Sequence, residues 1–255
     1  MIKTWMTPWL LMAVPFLGAA LSLLLRTSFQ RMKTSALLTT VASMLVVIGT
    51  PWALGDTLAG VPFLCLLPLT AFLSLLGQPL HRDNTSAWTT TLVLLGLGLG
   101  ILTAQAPAHD VMLLILPGLL CILLYRYQSG ATPETWRGLS AYGLSMMSAA
   151  LALLLPTPAS TVALLVTCAT LLPLLPVHSG FTATLTGLPG NLPAFLVFLL
   201  PTVGFHTLLM LLPNLTVTAL HTIAILALAG ALYGSRRALI QARPLPRLSY
   251  AALAF

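Results

Sequence analysis

The chain has 255 residues, of which 58% are hydrophobic and only 6% carry a charge. Soluble domains carry roughly a quarter of their residues as Asp, Glu, Lys and Arg, so this composition excludes an ordinary soluble domain and a disordered chain. The three cysteines (Cys65, Cys121 and Cys168) lie in apolar runs, which argues against a disulfide scaffold. The net charge of +7 is the usual basic excess of a polytopic membrane protein. The bilayer is therefore the expected environment, and no nucleic-acid partner is expected.

Nine stretches of the chain are apolar over the length that a membrane helix needs, which is about 20 residues. In chain order they are 5–25, 35–54, 58–79, 88–104, 111–125, 139–157, 159–177, 191–213 and 215–234. The sequence predicts an all-α fold, a polytopic membrane bundle of about nine transmembrane helices. The first stretch is expected to be retained, because basic residues follow it directly. The tail, 235–255, reads as a basic amphipathic segment that lies on the membrane surface or against a partner.

The basic residues predict the orientation of the bundle. With the N-terminus outside, the inner loops and the tail contain every basic residue except Lys3. They are Arg26, Arg31, Lys33, Arg82, Arg126, Arg137, Arg236, Arg237, Arg243 and Arg247. Basic residues resist translocation, so an outer N-terminus and an inner C-terminus are expected. Four tryptophans near the ends of the stretches are expected at the membrane interface: Trp5, Trp9, Trp52 and Trp88.

Prolines and glycines interrupt several of these stretches. Each proline removes a backbone donor, and at membrane depth the freed carbonyl must be satisfied by protein or water. Five prolines fall within stretches: Pro68, Pro117, Pro173, Pro176 and Pro201. Pro173 and Pro176, followed by Pro189 and glycines, predict that stretches seven and eight form a discontinuous helix pair of the kind that lines transport paths. The glycines of LLGLGLGIL (Gly96, Gly98 and Gly100) predict close helix packing rather than a nucleotide loop.

The candidates for proton chemistry are few. No Asp, Glu or Lys lies in the middle of a stretch, although ion-moving proteins usually hold such residues there. The remaining candidates for a relay are His178, His206, His221 and Thr202, which lies one helical turn before His206. In a helix bundle, however, a histidine is more often a neutral side chain that bonds to a neighbouring helix. The histidines and cysteines show no metal-ligand spacing, so neither a metal nor another cofactor is expected.

The segment 171–189, LLPLLPVHSGFTATLTGLP, keeps a proline and histidine pattern: Pro173, Pro176, His178 and Pro189. It resembles a signature of the antiporter-like subunits of complex I (NADH:quinone oxidoreductase), Mrp-type antiporters and membrane-bound hydrogenases. The segments 201–205 (PTVGF) and 243–253 (RPLPRLSYAAL) are similar to later motifs of that family. The resemblance implies an N-terminal three-helix segment (1–87), a five-helix antiporter-like repeat (88–213), and a ninth helix with its tail (214–255).

The departures from the family pattern concern its ionisable residues. The family's Glu position corresponds to Met112, its first Lys position to Leu171, and its second Lys position to Pro201 or Thr202. The resemblance therefore implies a truncated, degenerate member that ends where the second repeat would begin. Such a half would not pump by the family's Glu–Lys mechanism.

Three functions fit these observations. The first is a non-catalytic, non-pumping membrane subunit of a complex I-related assembly, packed against paralogous subunits, with a variant in which another chain supplies the missing repeat. The second is an independent small proton, cation or solute transporter. The third, a membrane enzyme, is disfavoured because Asp83, Asp110 and Glu134 are scattered over different loops. A bacterial inner membrane is favoured over a mitochondrial one.

Overall fold

The computed structural model describes residues 2–54, 61–81, 84–127 and 133–254, and these residues fold into eleven α-helices without a strand. Arg82, Asp83, Asp56 and the side chains of Trp5 and Trp52 lie outside the described part. A short 3-10 segment, Leu212–Asn214, follows the ninth helix. The helices are α1 (Ile2–Leu24), α2 (Phe29–Leu54), α3 (Val61–Gly77), α4 (Thr85–Thr103), α5 (Ala108–Tyr127), α6 (Pro133–Leu154), α7 (Ala159–Leu171), α8 (Ser179–Gly187), α9 (Leu192–Leu211), α10 (Val217–Ile240) and α11 (Pro244–Leu253).

Each of the nine predicted stretches overlaps one helix, and the all-helical prediction is confirmed for the described residues. Among them, five helices are long and apolar enough to cross a membrane. They are Phe29–Thr50, Thr85–Thr103, Ala108–Tyr127, Leu192–Asn214 and Val217–Ile240. Three shorter apolar helices follow the same pattern: Pro8–Leu24, Leu64–Gly77 and Ala159–Leu171. The chain is thus an integral membrane protein, while the count of nine spans stays a prediction.

The helices form two compact units, of which the first comprises Met1–Met112 and Pro189–Leu199. Within it α1 packs against α2 and α4, and α3 packs against α2 and α4. The core contains Ala19, Met32, Ala36, Leu75, Trp88 and Leu92. Trp88 is fully buried there, so its prediction as an interfacial tryptophan is wrong; Trp9 is exposed. Hydropathy indicates only that Trp88 lies near the end of a helix, whereas the packing of this unit buries its side chain in the core.

Glycines allow the helices of this unit to approach closely. A Cβ added at Gly98 would lie 2.5 Å from Cδ1 of Leu199, and one at Gly100 would lie 2.5 Å from Sδ of Met12. Without an aqueous driving force, membrane helices associate largely through such close packing. The prediction that the glycines of α4 serve packing is therefore confirmed.

The second unit comprises Leu113–Leu188 and Leu200–Phe255. In it α6 packs against α7 and α8, and α11 packs against α10 and α8. The division between the units falls within α5 and within α9, so it does not follow the three predicted segments, which remain a sequence-based prediction. The tail predicted at 235–255 is helical: α10 continues to Ile240 and α11 follows from Pro244.

Candidate functional site

The proline-rich segment produces a broken helix in the second unit. Helix α7 ends at Leu171 and α8 begins at Ser179, with a non-helical connection between them. Pro173 and Pro176 lack the N–H that a continuing helix needs. Leu172 N still donates to Cys168 O at 2.8 Å, which closes the last turn of α7. The interruption thus lies inside the predicted stretch seven, and α8 is a separate short helix that the sequence reading did not predict.

His178 directly precedes α8 and joins the connection to the C-terminal helices. Its ring meets that of Tyr233 edge-on, with 5.2 Å between the ring centroids. Its Nδ1 is buried beside the Pro176 carbonyl. The ring contact with Tyr233 thus links the connection before α8 to α10.

Tyr233 lies at the centre of a cluster with Arg237, Tyr250 and His178. Arg237 Nε donates to the Tyr233 hydroxyl at 3.1 Å, and its guanidinium lies 5.5 Å from the ring centroid. The Tyr250 ring lies 6.1 Å from that of Tyr233, and burial raises the pKa of the Tyr250 phenol. The two edge-on ring contacts thus join the residue before α8, α10 and α11, while the hydrogen bond and the cation–π contact of Arg237 lie within α10 and hold the Tyr233 ring in place.

A layer of hydroxyl groups lies between α6, α7 and α8. Ser148 Oγ and Thr167 Oγ1 are 2.8 Å apart, and the Thr167 hydroxyl also donates to Ser145 O at 3.2 Å. The Tyr142 hydroxyl lies 3.3 Å from Thr184 Oγ1. All five residues are buried. Such hydroxyls hold membrane helices together and carry no fixed charge.

The first family Lys position, Leu171, lies within an apolar contact. It is fully buried at the end of α7. A Cβ added at Gly204 of α9 would lie 3.1 Å from Leu171 Cβ and 3.0 Å from the Leu172 backbone nitrogen. The Cys168 thiol donates to Gly204 O at 3.0 Å. Backbone and side chains therefore occupy the space beside this position.

The family Glu position, Met112, belongs to the first unit. Its side chain is buried, with 5% of its surface exposed. A Cβ added at Gly100 of α4 would lie 2.8 Å from Met112 Sδ. Met112 and Leu171 thus each pack closely against a glycine of another helix.

The other predicted relay residues lie on different helices. Thr202 and His206 are half-buried on α9, and each has an interaction partner. Pro201, the alternative second Lys position, is half-buried one residue before Thr202. His221 is exposed near the start of α10. The candidates thus come from three different elements: His178 from the connection that precedes α8, Thr202 and His206 from α9, and His221 from α10.

The sequence reading missed the hydroxyl layer and the tyrosine cluster. The sequence does contain a signal for part of the hydroxyl layer, because Tyr142, Ser145 and Ser148 recur every three residues and so share one face of α6. Tyr233 and Arg237 are likewise one turn apart on α10. Their link to His178 depends on how α10 folds back, which no local pattern indicates.

Comparison with solved structures identifies a protein of similar fold. The chain is similar to a chain of the respiratory complex I from Thermus thermophilus, solved with bound aureothin, with a TM-score of 0.71 and 18% sequence identity. The similarity covers 96% of this chain but only 62% of the other, so this chain spans less than two thirds of its length. No protein-family profile and no curated protein matches the sequence. The shared property is the helical fold of a complex I chain.

Proposed function

We propose that the protein is a non-catalytic, non-pumping membrane subunit of a complex I-related assembly. The observation that carries the proposal is the fold, which follows a complex I chain over 96% of the present one. The proline and histidine pattern of 171–189 supports an antiporter-like origin. Paralogous membrane subunits are its partners, and the bacterial inner membrane is its location, with the N-terminus outside.

Loss of pumping is supported by what replaces the charged positions. Ion-moving membrane proteins hold ionisable groups at depth because these groups form the path. Leu171 and Met112 are instead buried apolar side chains, each beside a glycine of another helix. The polar groups of the second unit's core are hydroxyls such as Ser148 and Thr167, which supply no fixed charge to couple with an ion.

Purification of the full chain from its native membrane in mild detergent tests the assembly. Paralogous membrane subunits and a soluble oxidoreductase arm should co-purify with it. The competing transporter function predicts a monomer or homo-oligomer that supports proton or cation flux in liposomes. Such flux, without co-purifying subunits, would contradict the proposal.

Histidine substitutions test the non-pumping role separately. Translocation by the intact assembly should be unchanged in His178→Ala, His206→Ala and His221→Ala variants of this chain. Subunit composition on a native gel serves as the control for assembly. Loss of translocation in a variant that assembles normally would assign a relay to that histidine and contradict the non-pumping role.

A further inference from the structure

A long groove runs along the surface of the first unit between α1 and α2. Its volume is about 1000 Å³. Leu17 and Leu21 of α1 line one wall, and Leu38 of α2 lines the other. All three are exposed leucines, so the groove has an apolar, accessible interior.

The groove follows α2 over a length comparable to one leaflet of a membrane. On α2 the lining extends from Gln30 to Ala42, and twelve helical steps at 1.5 Å each give roughly 18 Å. On α1 it extends from Val14 to Leu21, which is roughly 10 Å, and Leu25 lines the groove just after that helix ends. Half of a hydrocarbon core of about 30 Å is about 15 Å, so the acyl chain of a lipid in one leaflet has room along the groove.

One end of the groove is polar and basic. Ser28, Gln30, Arg31 and Thr34 line it where α1 ends and α2 begins, a position that corresponds to the membrane border. The Arg31 side chain is exposed, and no acidic residue of the described chain forms an ion pair with it. Lys33, two residues on, is already engaged: its Nζ donates to the backbone carbonyls of Leu76 and Gln78. Arg31 is thus the cation that remains available to this groove.

A buried hydroxyl lies one turn deeper in the same groove. Ser35 is 8% exposed and lines the groove, and its Oγ has no hydrogen-bond partner within the described residues. Ser35 follows Arg31 by four residues, so it lies about 6 Å further along the helix axis. A buried polar group without a partner is costly, and a ligand acceptor at this depth would satisfy it.

We propose that this groove binds one anionic phospholipid. The Arg31 guanidinium binds the phosphate, which it matches in charge and geometry. The Ser35 hydroxyl donates to an ester carbonyl, which lies deeper than the phosphate in any glycerophospholipid. One acyl chain lies along Leu17, Leu21 and Leu38. Along α2 the cation, the hydroxyl and the apolar wall thus follow in the same order as the phosphate, the ester and the acyl chain of a phospholipid. The proposal requires only that the chain crosses a bilayer.

Native mass spectrometry of the full chain, extracted from liposomes of phosphatidylglycerol and phosphatidylcholine, tests the head-group contact. The wild type should retain phosphatidylglycerol in preference to phosphatidylcholine. Arg31→Gln should reduce retained phosphatidylglycerol about fivefold, the effect expected of one basic residue at an anionic surface. The matched control is Arg26→Gln, an exposed arginine outside the groove lining, which should retain the lipid. Equal losses in both variants, or equal retention of the two lipids by the wild type, would overturn the proposal.

A second pair of variants tests whether the acyl chain occupies the groove. Leu38 lines the groove, whereas Leu45 lies two turns further on α2, is equally exposed and does not line it. Leu38→Trp should displace the lipid, and Leu45→Trp should not. Unchanged retention in Leu38→Trp would refute the groove as the site. If the Leu38→Trp variant instead lost a co-purifying subunit when it was purified from its native membrane, the occupant would be a partner helix, which also overturns the proposal.

Discussion

A lysine at position 171 tests whether the apolar contact at the end of α7 tolerates a charge. Leu171 is fully buried, and both Leu171 and Leu172 lie against Gly204. A Leu171→Lys variant places an ammonium group among apolar atoms. Insertion measurements give about 2.5–3.5 kcal/mol for a lysine at the centre of a membrane helix. We therefore expect a loss of roughly 3 kcal/mol in the free energy of unfolding.

Thermal unfolding of the purified protein in detergent measures this loss. For chains of this size each kcal/mol shifts Tm by about 2–4 °C, so the lysine variant should unfold roughly 6–12 °C below the wild type. Leu171→Met is the matched control, because a volume-conserving apolar change usually costs less than about 1.5 kcal/mol.

Equal Tm values for the lysine and methionine variants would refute this reasoning. Such a result would mean that water reaches the end of α7 and solvates the ammonium group. A hydrated path at Leu171 would in turn remove the physical basis for a non-pumping subunit, whatever the partners of the chain.

Two further predictions concern contacts inside the second unit. Gly204→Ala should destabilise the protein by about 1–3 kcal/mol through overpacking, whereas Gly143→Ala, where an added Cβ has nothing within 4 Å, should stabilise it by roughly 0.5–1 kcal/mol. An unchanged or raised Tm in Gly204→Ala would contradict the packing assigned to α9. Ser148→Ala removes the hydroxyl that lies 2.8 Å from Thr167 Oγ1 and should lower the free energy of unfolding by about 0.6 kcal/mol and at most about 1.7 kcal/mol. The control, Ser140→Ala, changes an exposed position on the same helix and should lower it by less. Equal Tm shifts for the two variants would show that the hydroxyl layer contributes nothing to stability.

The sequence predicted the helices well where length and hydropathy alone decide them. The stretch predicted at 191–213 corresponds to α9 with its 3-10 extension, Leu192–Asn214. The sixth predicted stretch begins at 139, whereas helix α6 begins six residues earlier, at Pro133. Proline at the first position and Glu134 in the first turn favour a helix start there, although the polar segment lowers the local hydropathy. Apolar content indicates which part of a helix crosses the hydrocarbon core, whereas capping residues determine where the helix begins.

Which residues pack against one another in the folded chain could not be predicted from the sequence. Helix α8 has nine residues rich in glycine and threonine, too short and too polar to stand out by hydropathy. Trp88 was expected at the interface but packs in the core of the first unit. Both errors have one cause: apolar composition indicates depth in the membrane, but it does not indicate which neighbour a residue meets.

For the candidate site, sequence reasoning located positions but not their surroundings. The spacing of Pro173, Pro176 and His178 indicated both the helix break and the position Leu171. Only the folded chain shows that the Tyr233 ring contacts the His178 ring edge-on. That contact joins residues far apart in the chain, and no periodicity within either helix encodes it.

Packing at Leu171 leaves little room for a charged side chain. A membrane-embedded lysine requires room for its side chain and water or a partner for its ammonium group. The neighbour across the contact is Gly204, already the smallest residue, so no substitution there can create room. Space for a lysine would require α9 to move away from α7, breaking the Cys168 bond to Gly204 O. A lysine at this position therefore requires a shift of backbone, which a single exchange of side chains does not provide.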